Sequence, residues 1–374
     1  MRGGMAHFNE LMYKYLSIEN DVKIYSFKRQ YPEFLFPGKT QYEEGKPLTE
    51  FAEGSNIISI DSVNPFNWIK WGFIIAKENA DLIIIKYWIP FFAPAFFTLA
   101  WIIRKFSKAK VLFQADNVIP HEKRFGDKFL TKVALSQGDI FQVLSESVAE
   151  DLKFFNKKNK PVIHSKHPVY NLFGEKVEKM EARECIKKEF GVDVISDKVI
   201  LFFGYIRKYK GLNYLIDAMK EVVKKLDVKL LVVGEFYEDE NKYMEQIKNN
   251  NLEKNILVIS NFMPNEKVRY FFSACDLVVL PYNSATQSGI TQIAYFYEKP
   301  VVATKVGGLS EVIHDGETGY LVEPKNSPQI ADAILKFYNE NMESEFSKKV
   351  SEEKKKYMWE KFVNEITSNV KLIA

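Results

Sequence analysis

The chain has 374 residues, of which 46% are hydrophobic and 27% charged, as in an ordinary globular protein. A net charge of +3 and a pI near 8.4 are too weakly basic to indicate nucleic-acid binding. The two cysteines, Cys185 and Cys275, lie too far apart for metal-ligand spacing, and we interpret them as reduced thiols. The first ten residues lack the apolar segment of a signal peptide, so we expect a cytoplasmic protein.

Short apolar runs alternate with amphipathic stretches along the whole chain. In the first half, the predicted strands are 22–26, 57–60, 82–85, 111–113, 140–143 and 162–163. In the second half, they are 199–203, 229–233, 256–259, 277–280, 301–303 and 320–322. Strands that alternate with helices form parallel sheets covered on both faces. Two such sets predict an α/β protein with two doubly wound domains.

The domain boundary is predicted near residue 168, because apolar periodicity stops over 164–184 and Pro168 and Gly174 interrupt the chain. The clearest helix, 212–226, follows in the second half with apolar residues at i, i+3, i+4 and i+7. The predicted domains are 1–168 and 169–356, with a separate helix over 357–374. The simplest interpretation of that helix, judged by its position alone, is the last helix of the second domain.

The uncharged run 87–103 has two interpretations. One is a strand end, a loop broken by Pro90 and Pro94, and a buried helix. The other is a surface that contacts a membrane. A spanning helix is disfavoured, because the run is shorter than about 20 residues and is flanked by Lys86 and Arg104.

The segment 201–219 places a glycine and several basic residues between a strand and a strong helix. Gly204 follows the strand, Arg207 and Lys210 lie in the loop, and Gly211 precedes the helix. Ligands of parallel sheets bind at the carboxyl ends of the strands, where helix N-termini attract anions. The segment therefore predicts a diphosphate site; a solvated basic loop is the alternative.

A second loop of this kind, 284–289, is uncharged and rich in hydroxyl groups. Ser288 can cap the following helix, which is a sufficient explanation for the serine. Gly289 allows a ligand to approach the backbone, and N–H groups at Ser288, Gly289 and Ile290 can bind an anion without a charged side chain. Gly307 and Gly308 add a third loop after the next strand.

Several segments resemble the retaining glycosyltransferases of family 4, also called glycosyl transferases group 1. They are RGGMAHFNELMYKYLS, FFGYIRKYKGLNYLIDA, ACDLVVLPY and EKPVVATKVGGLSEVIHDGETGYLVEP. The resemblance implies a GT-B fold, with two Rossmann-like domains facing across a cleft. It places the nucleotide-sugar donor on the second domain and the acceptor on the first, with the last helix packing back on the first. It also implies that neither a metal nor a cofactor is required.

The resemblance assigns donor-binding residues by position. Lys210 stands at the family's diphosphate-binding lysine, and Gly3 and Gly4 at its glycine pair. Arg207 lies near the family's arginine, whose most common place is held here by Tyr205.

The sequence departs from the family pattern at two sites. The usual glutamate pair is replaced by Ala285 and Ile293, so contacts to the donor sugar and nucleoside are assigned to other residues: Thr286, Gln287, Gln292 and Glu235. Asp116 occupies the place of a common histidine, and His121 follows. Both are catalytic candidates, because each can transfer a proton; for His121 an ordinary loop residue is the alternative.

A third departure concerns the beginning of the first domain. The family has an apolar strand before the glycine pair, whereas this sequence reads Met1-Arg2-Gly3-Gly4. We therefore expect the first strand of the N-terminal domain to be missing, through a misassigned start or a truncation.

The predicted function is transfer of a sugar, with retention, from a nucleotide diphosphate sugar to an acceptor hydroxyl. The expected acceptor is a lipid-linked or free saccharide in polysaccharide, lipopolysaccharide or glycolipid synthesis. A peripheral position on the inner membrane face would suit such an acceptor, and no nucleic-acid partner is expected. Two alternatives stay open: a nucleotide-sugar epimerase, and a degenerate or truncated protein that binds a nucleotide sugar or lipid without catalysis.

Overall fold

The computed structural model describes residues 3–33, 40–42, 47–120, 124–195 and 198–373. The chain forms two compact units. The first contains residues up to 168 together with the C-terminal segment from 358, and the second contains residues 169–357.

In the first unit, strands alternate with helices. The strands are β1 (Ile24–Arg29), β2 (Asn56–Asp61), β3 (Leu82–Tyr87), β4 (Lys110–Ala115), β5 (Ile140–Val143) and β6 (Val162–His164). The helices are α1 (Gly4–Leu16), α2 (Pro65–Ala76), α3 (Ala93–Phe106), α4 (Asp127–Leu135), α5 (Glu146–Phe155) and, from the chain end, α14 (Trp359–Ile373). The main core lies between α3, α4 and the sheet, where the middle of β4 is fully buried.

The strands of the first unit belong to two separate parallel sheets. One contains β1 and β2, and the other has the order β3-β4-β5-β6. Within the described ranges, no strand pairs with both sheets, and β1 and β3 are only half-buried over much of their length. The expectation that the first strand is missing concerns positions before Gly3, which lie outside the described residues.

The second unit has a six-stranded parallel sheet in the order β12-β11-β10-β7-β8-β9. Its strands are β7 (Lys198–Phe203), β8 (Val228–Val233), β9 (Ile256–Ile259), β10 (Leu277–Leu280), β11 (Val301–Thr304) and β12 (Gly319–Val322). Its helices are α6 (Lys179–Phe190), α7 (Leu212–Val222), α8 (Glu240–Asn249), α9 (Asn265–Ala274), α10 (Gly289–Phe296), α11 (Leu309–Val312), α12 (Ser327–Asn339) and α13 (Glu343–Glu353). The prediction of two Rossmann-like parallel α/β domains is confirmed.

The uncharged run 87–103 is mostly interior, as the first interpretation predicted. A short 3₁₀ turn at Pro90–Phe92 leads into α3, whose inner face is buried against the sheet. Pro94 does not break a loop but lies in the first turn of α3, where its missing N–H is harmless. In the described part of the chain, no helix combines the length and the apolar character needed to cross a bilayer.

One helix differs from the sequence prediction. Helix α7 ends at Val222, and its last predicted turn unwinds, although Val223 and Leu226 still pack on the core. The last helix, α14, belongs to the first unit, where the family resemblance placed it, although its position in the sequence alone suggested the second. The fully buried indole of Trp359 contacts Phe8 of α1 with ring centroids 5.0 Å apart, and it stacks on Tyr15 at 5.7 Å.

Replacing Trp359 by alanine should destabilise the first unit by about 3–5 kcal/mol, the usual cost of truncating a buried aromatic side chain. The free energy of unfolding in urea measures this effect. Leu372→Ala on the same helix is the matched control, because Leu372 is 85% exposed and its change should stay within about 0.5 kcal/mol. Equal effects of the two substitutions would contradict the packing of α14 described here.

Candidate functional site

The second sheet has a switch point between β7 and β10. From β7 the chain continues through β8 and β9 on one side, and then returns to place β10 on the other side of β7. The loops that follow β7 and β10 therefore diverge at the carboxyl edge of the sheet. Such an edge is where open parallel sheets bind ligands.

The loop after β7 is fixed against the end of β10 by Gly211. This residue has a φ of +67°, and a Cβ atom built on it would lie 2.0 Å from the carbonyl oxygen of Pro281. Only glycine allows both the left-handed conformation and this close approach. Asn283 strengthens the contact, because its N–H donates to the carbonyl of Tyr209 at 2.6 Å.

Lys210 is the central side chain of this edge. It is only 7% exposed, and its Nζ would lie 3.1 Å from a Cβ atom built on Gly204. The side chain of Ile290, in the first turn of α10, lies 3.2 Å from the same Cβ position. The β7 loop and the start of α10 therefore meet at Gly204, with the amine of Lys210 beside them.

The charge of Lys210 is unbalanced. Burial, together with the smaller effect of the nearby guanidinium of Arg207, lowers the pKa of its amine to about 7. In the ranges that the structure describes, no carboxylate lies within ion-pair distance of Lys210 or Arg207. A buried amine without a carboxylate is typical of an anion-binding site.

The loop after β10 gives backbone donors rather than charges. The Ser288 hydroxyl accepts the N–H of Thr291 at 3.4 Å and so caps α10, as the simplest interpretation of this serine predicted. The N–H groups of Gly289 and Ile290 have no acceptor within the described residues. The first N–H groups of a helix carry partial positive charge, so this helix start can bind an anion.

Buried amide oxygens next to this helix start lack hydrogen-bond partners. They are Oε1 of Gln287 and Oε1 of Gln292. The hydroxyl of Thr291 also has no hydrogen-bond partner. Gln292 and Thr291 are each only 1% exposed. Buried polar atoms are nearly always paired in folded proteins, so these atoms indicate a place for a polar ligand.

The third loop, after β11, closes over the second. A Cβ atom on Gly307, whose φ is +44°, would lie 1.7 Å from the carbonyl oxygen of Ala285. The N–H of Gly308 donates to the carbonyl of Thr286 at 3.1 Å. Thr286 thus lies at the same edge through its backbone, beside the residues with unpaired amide oxygens.

An aromatic cluster that the sequence did not point to lies after β7, β8 and β9. Tyr205 contacts Tyr237 at 4.7 Å and stacks on Phe262 at 6.1 Å, and the guanidinium of Arg207 lies 4.8 Å from the ring of Tyr237. Glu235, buried at the end of β8, accepts the N–H of Ile206 through its carbonyl oxygen. The sequence contained one signal of this cluster: an aromatic residue follows each of the three successive strands within four positions.

The predicted residues of the first unit lie at two places. Gly3, with a φ of +96°, caps α1, and its carbonyl accepts the N–H groups of Ala6 and His7 at 2.9 and 3.2 Å. Gly4 is the first residue of that helix. His121 lies outside the described residues.

Asp116 is held in a buried ion pair. Its Oδ2 lies 3.1 Å from Nζ of Lys86, which also donates to Gln114 and lies 3.3 Å from the ring centroid of Phe8. The buried ring of His167 lies 5.5 Å from Phe8, and burial and the charge of Lys86 lower its pKa to about 3. Asp116 therefore stabilises a buried cation, a structural role that the sequence did not predict.

A pocket of about 430 Å³ lies close to Asp116 in the chain. Its lining is mainly apolar and comes from 118–120 and 124–129, including Val118, Phe125 and Phe129. In the described parts of both units, no group of three histidine, cysteine or acidic side chains is placed to hold a metal.

Comparisons with known proteins agree with this arrangement. Residues 197–340 match the family described as glycosyl transferases group 1. The N-acetyl-alpha-D-glucosaminyl L-malate synthase of Bacillus anthracis is 25% identical over 79% of this chain and 74% of its own length.

Solved structures show the same fold at low identity. The sucrose-phosphate synthase of Thermosynechococcus elongatus superposes with a TM-score of 0.76 at 16% identity, covering 99% of this chain and 94% of its own. The Anabaena protein HepE, solved with UDP, has a TM-score of 0.68 at 18% identity, covering 84% and 85%. The segment 197–340 therefore belongs to glycosyl transferases group 1, and the chain has the GT-B-like fold of two Rossmann-like parallel-sheet domains.

Proposed function

We propose that the protein transfers a sugar from a nucleoside diphosphate sugar to an acceptor hydroxyl with retention at the anomeric carbon. The observation that carries the proposal is the buried amine of Lys210, which lies beside Gly204 and the first turn of α10. The site offers an ammonium group and free backbone N–H groups, and it lacks a neutralising carboxylate in the described ranges. These are the groups that hold a diphosphate.

In the proposed reaction, the bond between the anomeric carbon and the diphosphate oxygen breaks. A bond to the acceptor oxygen forms on the same face, and the acceptor proton passes to the departing diphosphate. Lys210 and the N–H groups of Gly289 and Ile290 stabilise the negative charge as it develops on the leaving group. No side-chain nucleophile is required, which suits a site that has Ala285 and Ile293 where many relatives have glutamates.

The unpaired amide oxygens of Gln287 and Gln292 are proposed to accept hydrogen bonds from sugar or ribose hydroxyls. Thr286 and Glu235 are proposed to contact the same part of the donor. The aromatic cluster of Tyr205, Tyr237 and Phe262 is a surface on which a nucleobase can stack. Gly3 and Gly4 are proposed to approach the donor phosphates.

The acceptor is proposed to be a lipid-linked saccharide, in the synthesis of a polysaccharide, a lipopolysaccharide or a glycolipid. The apolar pocket near Asp116 supports an acceptor with a hydrophobic part. Asp116 is proposed to act on the acceptor, with its carboxylate held in place by the ion pair with Lys86. A small hydroxy acid is the competing acceptor, since the Bacillus anthracis relative is named for L-malate.

Thermal stabilisation by a panel of nucleotide sugars should identify the donor, because a ligand that binds only the folded protein raises its Tm. Incubating that donor with candidate acceptors should give a glycoside with the anomeric configuration of the donor, measurable by NMR. Consumption of the donor without acceptor, with inversion at a ring carbon, would instead indicate an epimerase. Binding without turnover would indicate a non-catalytic protein.

Lys210→Met should weaken UDP binding at least 100-fold, because Lys210 is the only buried cation among the described residues of the site. Lys208→Met is the matched control: this exposed side chain lies in the same loop, and binding should stay within about twofold. Calorimetric titration with UDP measures both. The Tm of Lys210→Met should not fall, because removing an uncompensated buried amine does not cost stability. Equal losses in the two variants would contradict the assigned role.

Binding of UDP should take up a proton at pH 8. The free Lys210 amine has a pKa of about 7 and is mostly neutral at that pH, whereas a bound diphosphate favours the charged form and raises its pKa. Affinity should therefore fall by up to about tenfold per pH unit above pH 7. Titrations in buffers of different ionisation enthalpy count the protons. Lys210→Met should abolish the uptake, and uptake that persists in this variant would assign it to another group.

A further inference from the structure

The outer side of α2 exposes large apolar side chains in a row. Phe66, Ile69 and Phe73 follow each other at spacings of three and four residues, so they lie on one face of the helix. They are 84%, 44% and 40% exposed. The opposite face is buried, and Gly72 allows close packing of α2 on α3 through contact with Ile102.

Helix α3 continues this row. The ring of Phe106, 53% exposed, lies 4.9 Å from that of Phe73. Trp101, 45% exposed, lies about one turn earlier, and Nζ of Lys105 lies 5.1 Å from its ring and 5.7 Å from that of Phe106. Five residues therefore form a connected patch, the α2–α3 apolar surface: Phe66, Ile69, Phe73, Trp101 and Phe106.

The charges in these two helices have one sign. Neither α2 nor α3 contains an acidic residue, whereas Lys70, Arg104 and Lys105 are basic. Arg104 pairs with Asp139 at 2.9 Å, but the described structure gives Lys70 and Lys105 only aromatic neighbours. Clustered exposed aromatic residues indicate a binding surface, since soluble proteins seldom expose large connected apolar patches.

We propose that the α2–α3 apolar surface docks on an anionic lipid bilayer. Phenylalanine and isoleucine side chains enter the boundary between headgroups and acyl chains, tryptophan prefers that boundary, and lysines bind acidic headgroups. A twofold contact between two copies of this chain is disfavoured, because it would bring two basic rims together without acidic partners in these helices. The surface lies flat on the membrane, and neither helix spans it.

The inference rests on the proposed lipid-linked acceptor, which would explain why the protein binds a membrane. Vesicle binding tests the surface independently of glycosyl transfer. Co-sedimentation should show the full-length protein bound to vesicles of phosphatidylcholine with phosphatidylglycerol. Binding should be weaker to phosphatidylcholine alone and should fall as salt screens the lysines. Phe66→Ser with Ile69→Ser should lower the partition coefficient at least tenfold. Lys70→Glu with Lys105→Glu should remove the preference for anionic lipid.

The matched control is Ile18→Ser with Leu372→Ser, two residues of the same unit that are 71% and 85% exposed and lie outside this surface. This control should bind vesicles as the unchanged protein does, and all variants should keep UDP binding. Unchanged vesicle binding by Phe66→Ser with Ile69→Ser, or an equal loss in the control, would overturn the proposal. A dimer in sedimentation equilibrium that Phe66→Ser with Ile69→Ser dissociates would also overturn it, by assigning the surface to a second copy. Failure of UDP binding in every protein would count against the donor site instead.

Discussion

The second unit depends on one electrostatic constraint, the burial of the Lys210 amine at the carboxyl edge of its sheet. A cation removed from water without a carboxylate is costly, and the lowered pKa of Lys210 expresses that cost. The proposed function accounts for this burial, because a bound diphosphate would supply the missing charge. The same low polarity that penalises the free amine strengthens its attraction to a bound diphosphate.

The arrangement around Lys210 follows from two glycines that accept very close backbone contacts. Gly211 lies against the carbonyl oxygen of Pro281, and Gly307 lies against that of Ala285. These contacts hold three loops from three strands together at one edge of the sheet, which carries backbone N–H groups and buried amides. Donors held rigidly before the ligand arrives need little reorganisation when charge develops on it. This explains why the loop after β10 needs no charged side chain.

The first unit uses its charges differently. The cation of Lys86 is neutralised within the protein by Asp116, and it is covered by Phe8 of α1. Phe8 also contacts Trp359 of α14, so the pair is linked to the packing of the last helix. Some aromatic residues of α2 and α3 are buried in the core, and others are exposed on the outer surface. The buried ones stabilise the fold, and the exposed ones form the proposed membrane contact.

The sequence alone determined the alternation of strands and helices, because apolar periodicity is a local property of the chain. It also marked the candidate anion site, since Gly204, Lys210, Gly211 and Ser288 lie in strand-to-helix loops at the edge where parallel sheets bind ligands. The burial of Lys210, the pairing of Asp116 with Lys86 and the aromatic cluster of Tyr205 required the tertiary structure. So did the outward direction of Phe66. Each of these depends on contacts between residues far apart in the chain, and such contacts leave no periodic signal in the segments that make them.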